Sequence, residues 1–443
     1  MPYVHISLSS SNHNLLDELT SISKRVGTKI LTQMPNTPEI IISGGETDLK
    51  ANFVVKINSN GWVAFMSCNE KIMQVVNPLQ NPIGAIGAAC FGTSEVFKRL
   101  LELAGSKRNM ITKHASQFVF SFLDYSCTDN NAKLPFEMTL KEKILLVGAG
   151  AVGSGFVYAL SSIENLSSNM VIVDPDRFDT TNLNRCPIAF VENIGEEKAI
   201  VASRYATSNL AINPEVINYK DYVKKNGNNH PIVISTVDNN ETRIQIQSDM
   251  PKFLYHGATG DHIATIAKID FLRTACLGCI FNNTESYYQR ISRETGISES
   301  EIKNLFENDG VLTDKHIQML KIKLGTQAEQ FISSVGQSFK NVYVKEMCGT
   351  INIQSSTHQH AATVSFVSMI VGLMLAGEIV KSIIFDSQRF PISSENNYLS
   401  VSLFSPCAFL LVNRLKHDKC LCLCQHNSMK KRFEKKWGYE KKI

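Results

Sequence analysis

The sequence predicts an α/β protein: a Rossmann-like nucleotide-binding domain, a smaller α/β domain before it, and a helical segment inserted into it. Three observations carry that expectation. The apolar run at residues 143–147 passes directly into Gly148-Ala149-Gly150-Ala151-Val152-Gly153 and then into a helix-prone stretch at 155–160. A second apolar run, residues 170–173, ends on Asp174, about twenty residues past the glycines. A third, residues 231–236, ends in Val237-Asp238-Asn239. Strand, glycine turn, helix, strand and acid, in that order, make the phosphate-binding half of a doubly wound sheet. Gly148 permits the tight turn, Gly150 lets backbone N–H groups approach a phosphate, and Gly153 lets the helix pack close to the strand. The helix N-terminus adds partial positive charge. The pattern calls for a nucleotide without saying which.

Composition sets the bounds. A chain of 443 residues is expected to hold more than one domain, and 43% hydrophobic with 19% charged residues describes a soluble globular protein. A net charge of +4 implies no broad nucleic-acid footprint. The basic run from Lys430 to Lys442 reads as a solvated end. No basic-then-apolar leader opens the sequence, and no stretch reaches the roughly twenty apolar residues of a membrane span, so a cytoplasmic protein without a membrane partner is expected. Eleven cysteines without a secretion signal favour reduced thiols, metal ligands and catalysis over disulfides.

In chain order, residues 15–26 read as an amphipathic helix. Residues 39–42, 53–57 and 62–65 read as strands, with a turn over 58–61. A helix rich in small residues follows from Asn81 and closes on Glu95-Val96-Phe97-Lys98. Much later, residues 361–377 are again rich in small residues and close on Glu378-Ile379-Val380-Lys381. That echo, with the lack of a glycine-rich loop before residue 148, marks residues 1–139 as an expected degenerate partner half without a nucleotide site. After Asp174 the polar stretch 175–185 reads as a loop at the carboxyl edge of the sheet. A helix is expected over 199–210, stopped by Asn213-Pro214, and strands near 254–257 and 263–266. Residues 281–345 read as an inserted helical segment; no cluster of basic residues supports a DNA-reading role there. A buried helix over 363–375, strands over 398–404 and 408–413, and Cys420-Leu421-Cys422-Leu423-Cys424 complete the chain.

The glycine loop, Asp174 with Asp176, Asn182 with Arg185 and Lys198, and Asp238 converge on one edge of the sheet. A dehydrogenase needs the glycines and one acid; it does not need two cations on loops that meet at phosphates. Arg185 and Lys198 together suit a triphosphate, whose charge must be neutralised before an anionic carboxylate can attack it. Asp238, with Asp174 or Asp176 as helper, offers oxygen ligands to Mg²⁺. Taken singly, Arg185 and Lys198 would read as ordinary surface residues.

In this order and spacing the motifs resemble the ThiF/MoeB superfamily of ubiquitin-activating-type adenylating enzymes over residues 140–280. Cys276 and Cys279 and the helix near Gly372 extend the likeness. The resemblance implies a ThiF-type adenylation domain with Asp174 on the ATP ribose, Asn182, Arg185 and Lys198 on its phosphates, and Asp238 on Mg²⁺ and in catalysis. Two features depart from the family's pattern: the region before residue 140, and Cys-x-Cys-x-Cys where Cys-x-x-Cys is usual. The layout is most similar to bacterial members that activate ubiquitin-like proteins in conjugation systems, antiphage ones included.

Cys276 and Cys279 have the spacing of half a zinc knuckle, and two of Cys420, Cys422 and Cys424 can complete a structural Zn²⁺ site of four thiolates. Cys348, in Glu346-Met347-Cys348-Gly349, lies outside any apolar period, beside a polar stretch expected to be mobile, with Lys345, His358 and His360 as candidate activators. Cys186, next to Arg185, is the rival thiol and reads as structural. The expected reaction is ATP-dependent adenylation of the C-terminal carboxylate of a ubiquitin-like or sulfur-carrier protein, then a thioester on Cys348, with a conjugating enzyme downstream. Catalysis would fall to Cys348, Asp238 and Arg185. Two alternatives stay open: a thioester-free adenylating enzyme for a peptide or sulfur carrier, and an NAD(P)-binding oxidoreductase or silent nucleotide-binding scaffold. A monomeric pseudo-dimer and a homodimer are both compatible with the sequence.

Overall fold

In a computed structural model the chain is described except for residues 1–16, 19, 23–24, 26–37, 104–112, 261, 282–286, 344–350, 355–358, 363, 386–394, 406–408, 417–419, 421–426 and 439–443. It divides into two compact units, residues 281–363 forming one and the described residues before and after them the other.

The larger unit carries two sheets. The first has four strands in sequence order: β1 (Ile40–Gly44), β2 (Phe53–Asn60), β3 (Val63–Cys68) and β4 (Gln117–Ser121). The helix Pro82–Leu103 runs between β3 and β4. The expected turn over 58–61 is tighter than read from sequence. Pairing continues to Asn60 and resumes at Val63, and Gly61, at φ +56, supplies the positive φ of a two-residue hairpin.

The second sheet contains β5 (Met138–Thr139), β6 (Ile144–Val147), β7 (Leu166–Val173), β8 (Leu210–Glu215), β9 (Ile232–Ser235), β10 (Phe253–Gly260), β11 (Ile263–Ile269), β14 (Tyr398–Ser402) and β15 (Phe409–Val412). Its order is β15-β14-β11-β10-β9-β6-β7-β5, with β8 also on β7. The helix expected over 199–210 is corrected here. It spans only Lys198–Ser203, and Leu210–Glu215 is a strand parallel to β7. Leu210 and Ile212 are buried while Ala211 and Asn213 are exposed, a period of two that decides for strand. Pro214 is tolerated because β8 pairs on one side only.

The helix Ser365–Ile384 is buried along most of its length. It crosses the helix Ala151–Ser161 where two glycines meet: a methyl at Gly372 would overlap the backbone of Gly155 and Phe156. Among the described residues it is the one helix long and apolar enough to cross a membrane. With 83% of its apolar window buried inside the protein, it has the surroundings of a core helix. The basic run after residue 427 keeps Lys430, Lys431, Arg432 and Lys435 exposed, as a solvated segment would, but it is also anchored. It forms the helix Asn427–Trp437, with Phe433 buried, Lys436 Nζ on the carbonyls of Asn228 and Asp249, and Trp437 Nε1 on that of Met250.

The two sheets share a topology. In the first, β1 is parallel to β2 and the steps β2-β3 and β3-β4 are antiparallel. In the second, β9 is parallel to β10 and the steps β10-β11 and β11-β14 are antiparallel. Hairpin register agrees, Asn60 opposite Val63 and Gly260 opposite Ile263. Phe122 N–H donates to Trp62 O just as Leu403 N–H donates to His262 O. The echoed tetrapeptides are two buried ion pairs, Glu95–Lys98 and Glu378–Lys381. Each lysine reaches a carbonyl just beyond the other sheet's matching strand: Lys98 Nζ reaches Phe404 O, and Lys381 Nζ reaches Phe122 O.

The inserted unit is helical, with Tyr287–Thr295, Glu299–Glu307 and Asp314–Leu324 around a core that includes Ile291, Ile302, Leu320, Phe331 and Phe339. The polar stretch expected to be mobile contains a hairpin, β12 (Ile351–Gln354) with β13 (Gln359–Ala362).

Candidate functional site

Strands β7, β6 and β9 end together, Val147 lying opposite Val173 on one side and Ser235 on the other. The loops that follow therefore emerge side by side: the glycine loop in the middle, the Asp174 loop and the Asp238 loop flanking it. The helices Ala151–Ser161 and Asn240–Ser248 begin at this edge, so both bring their N-termini to it.

Gly148 and Gly153 take the turn and the close packing expected of them. Gly148, at φ +97, makes the turn, and its carbonyl accepts from Thr236 Oγ1 at 2.7 Å. A methyl at Gly153 would overlap the Gly148 carbonyl, so close packing excludes any side chain there. Gly150 is the N-cap of its helix, and a methyl there would meet nothing within 4 Å. That open space in front of helix N–H groups is room for a phosphate.

Asp174 is 5% exposed. It accepts the Ala149 N–H at 2.5 Å and the Asp176 N–H at 2.8 Å, tying the glycine loop to the next loop. Burial raises its pKa, against the lowering effect of those two N–H groups. Asp176 holds Lys198 Nζ at 2.9 Å, and Asp176 O accepts the Lys198 N–H. Asn182 is buried; its Oδ1 accepts from Asp179 N, closing a capping box over the turn Thr180–Asn182. Arg185 Nη1 donates to Thr181 O at 2.6 Å. Arg185 and Lys198 both act on the Cys186 thiol and on Asp179, so the two cations share one neighbourhood.

Asp238 is exposed beyond β9, just before Asn239 caps its helix by accepting from Thr242 N. Arg243, whose pKa is lowered by burial, feels the Asp238 charge. His256 on β10 is fully buried with its Nδ1 3.1 Å from Ser235 Oγ, and burial pushes its pKa down to about 3. Sequence reading missed Thr236, Arg243 and His256. Thr236 had a signal, a hydroxyl at the end of a strand beside the acid; the other two had none.

Among the thiols, Cys186 is 4% exposed and burial pushes it up to about 11, the state of a structural cysteine. Cys276 Sγ lies 3.6 Å from Cys279 Sγ and 3.3 Å from Cys420 Sγ. Those spacings are far beyond a disulfide and near the roughly 3.8 Å edge of a tetrahedron with metal–sulfur bonds of about 2.3 Å. The donor set therefore fits zinc. Cys348, Lys345, His358, Cys422 and Cys424 lie outside the described residues.

The ThiF family profile matches residues 135–423. An uncharacterized protein y4jF of Sinorhizobium fredii is 25% identical over 398 residues, covering 86% of this chain and 74% of that one. The adenylyltransferase and sulfurtransferase UBA4 of Candida albicans is 41% identical over 75 residues, 17% of this chain and 16% of that one. Among solved structures, E. coli MccB with ATP matches 83% of this chain and 97% of its own at 15% identity and a TM-score of 0.40. MccB in complex with N-formylated MccA matches with the same coverage and identity and a TM-score of 0.42.

Proposed function

The chain belongs to the ThiF family, and from that premise we propose that it adenylates the C-terminal carboxylate of a ubiquitin-like or sulfur-carrier protein and then takes the acyl group onto Cys348. What supports the first half is the placing of Lys198 beside the Asp174 loop, with Arg185 in the same neighbourhood. Lys198 is held by Asp176, next to the carboxylate that ties down Ala149. A carboxylate oxygen of the carrier attacks the α-phosphorus of ATP, the bond to the β-phosphate oxygen breaks, and pyrophosphate leaves. The N–H groups at Gly150 cradle phosphate oxygens, Asp174 meets the ribose, and Asn182, Arg185 and Lys198 offset the charge of the triphosphate. Asp238, exposed at the same edge, would hold Mg²⁺, which supplies further charge neutralisation.

In the second step the Cys348 thiolate attacks the acyl carbonyl, the bond to AMP breaks, and a thioester remains for transfer to a conjugating partner. Zinc on Cys276, Cys279, Cys420 and one of Cys422 or Cys424 would be structural, with no open position. Residues 1–139 serve as a pseudo-adenylation half. The shared topology and the exchanged lysines support that reading, and among the described residues before 140 there is no glycine loop.

ATP–pyrophosphate exchange with candidate carriers tests the chemistry. Arg185→Ala should weaken ATP binding, and Asp238→Ala should cut turnover by roughly 10²-fold or more with a smaller effect on affinity. Tight NADH binding without ATP binding would sink the reading. With MgATP and carrier, a thiol-sensitive band on a non-reducing gel should vanish in Cys348→Ala while exchange survives. Exchange without any band would make the enzyme a thioester-free one.

A further inference from the structure

The surroundings of the buried Glu95–Lys98 pair differ from those of its counterpart in the other repeat. Cys68 ends β3, Glu95 lies in the helix Pro82–Leu103, and His114 stands shortly before β4. One ligand atom from each of the three lies within 4.8 Å of the others. Glu95 Oε2 is 2.6 Å from His114 Nδ1, and His114 Nε2 is 3.1 Å from Glu102 Oε1. Lys98 holds the other Glu95 oxygen at 2.7 Å, which leaves the side of Oε2 to the imidazole. Cys68 and Glu95 are buried and the His114 side chain is 20% exposed.

Register identifies the counterparts. Cys68 N–H donates to Ser116 O as Lys268 N–H donates to Asn397 O, so Lys268 stands where Cys68 does and Glu395 where His114 does. Among the described residues the Glu378–Lys381 pair is completed by the Tyr125 hydroxyl from the first half, and the positions matching Cys68 and His114 hold Lys268 and Glu395, neither a thiol nor an imidazole. The framework thus holds its ion pair without a soft ligand. The thiol and imidazole gathered around Glu95 are additions that its packing does not require.

We propose that Cys68, Glu95 and His114 form a second metal site, for Zn²⁺ or a similar borderline-soft divalent cation, separate from the thiolate group at Cys276. One thiolate, one imidazole and one carboxylate suit such an ion and not Mg²⁺ or Ca²⁺, which take oxygen ligands. Binding releases the thiol proton of Cys68. The oxygen–nitrogen contact opens from 2.6 Å to about 3.4 Å, the edge of a tetrahedron with bonds near 2.0–2.1 Å. Glu102 on the far ring nitrogen fixes the imidazole, as outer carboxylates do for metal-bound histidines. The ion would pin the end of β3, the helix and the approach to β4 to one another.

Full-length protein purified without chelators should hold one zinc more per chain than Cys68→Ser or His114→Gln. Its zinc X-ray absorption should contain a nitrogen and oxygen component beside sulfur. After chelation, Co²⁺ titration should show a thiolate charge-transfer band that Cys68→Ser weakens, and Glu102→Gln should lower metal affinity about 10–100-fold. If the single variants fold poorly, the absorption spectrum of the wild type still decides. An all-sulfur first shell, no bound zinc, or equal zinc in wild type and variants overturns the proposal and leaves an ion-pair and hydrogen-bond network only.

Discussion

Asp174 and His256 are both buried and respond to acid with opposite signs. Burial pushes His256 to about 3, well below the ordinary value of 6.5. A histidine kept neutral contributes stability that is fully present above the unfolded value and is lost as pH falls from there toward the folded value. The rate is up to about 1.4 kcal/mol per pH unit. Asp174 has a raised pKa, so its burial cost is relieved as pH falls into the carboxylate range. The His256 slope is therefore cleanest between about pH 5 and 6.5. Denaturant unfolding across that window should show stability falling with acid in the wild type and a flatter dependence in His256→Gln. Equal slopes would mean that His256 takes up its proton without unfolding. At this scale the sequence was partly legible. Asp174 and Asp176 sit on a loop that a strand end dictates and Lys198 opens the helix Lys198–Ser203, whereas His256 and Arg243 owe their place to burial, which a single residue does not announce.

The glycine loop shows how one element can carry two separable requirements. Gly153 is closed by the Gly148 carbonyl, and Gly150 is open to solvent in the same loop. Gly150→Ala should therefore leave the melting temperature nearly unchanged and abolish ATP binding. Gly153→Ala should lower stability by about 1–3 kcal/mol or more through overpacking. Thermal melts with and without MgATP read both at once. If Gly150→Ala binds ATP normally, the phosphates do not enter there. Elements with a strong period or a glycine signature were legible: β6, β7, β9 and the helix Ser365–Ile384. The failures came where tertiary partners decide. Residues 210–215 form a strand because β7 offers an edge, and the basic helix Asn427–Trp437 forms against carbonyls of a distant loop.

Across the whole molecule, the two repeats are held by exchanged side chains as well as by packed helices. Lys381 is 2% exposed and bonds Glu378 in its own helix and Phe122 O in the first repeat, with its Nζ 3.9 Å from the centroid of the Tyr125 ring. Burial lowers its pKa against the raising effect of Glu378. Lys381→Met leaves a buried carboxylate without its cation and should cost about 3–5 kcal/mol. The double change with Glu378→Gln should cost less, because breaking one side of a buried pair is worse than removing both. Additive losses in a double-mutant cycle would deny the coupling. The echo between the two tetrapeptides was visible as sequence; its exchange across repeats was not, because it joins atoms 259 residues apart. That separation also sets a schedule for biosynthesis. A ribosome that has just finished the first repeat must add those residues, the whole inserted unit among them, before Lys381 can reach Phe122. At 5–20 residues per second the wait is roughly ten seconds to a minute. For that time the Phe122 carbonyl and the Tyr125 hydroxyl wait for partners that only the chain's own C-terminal third supplies.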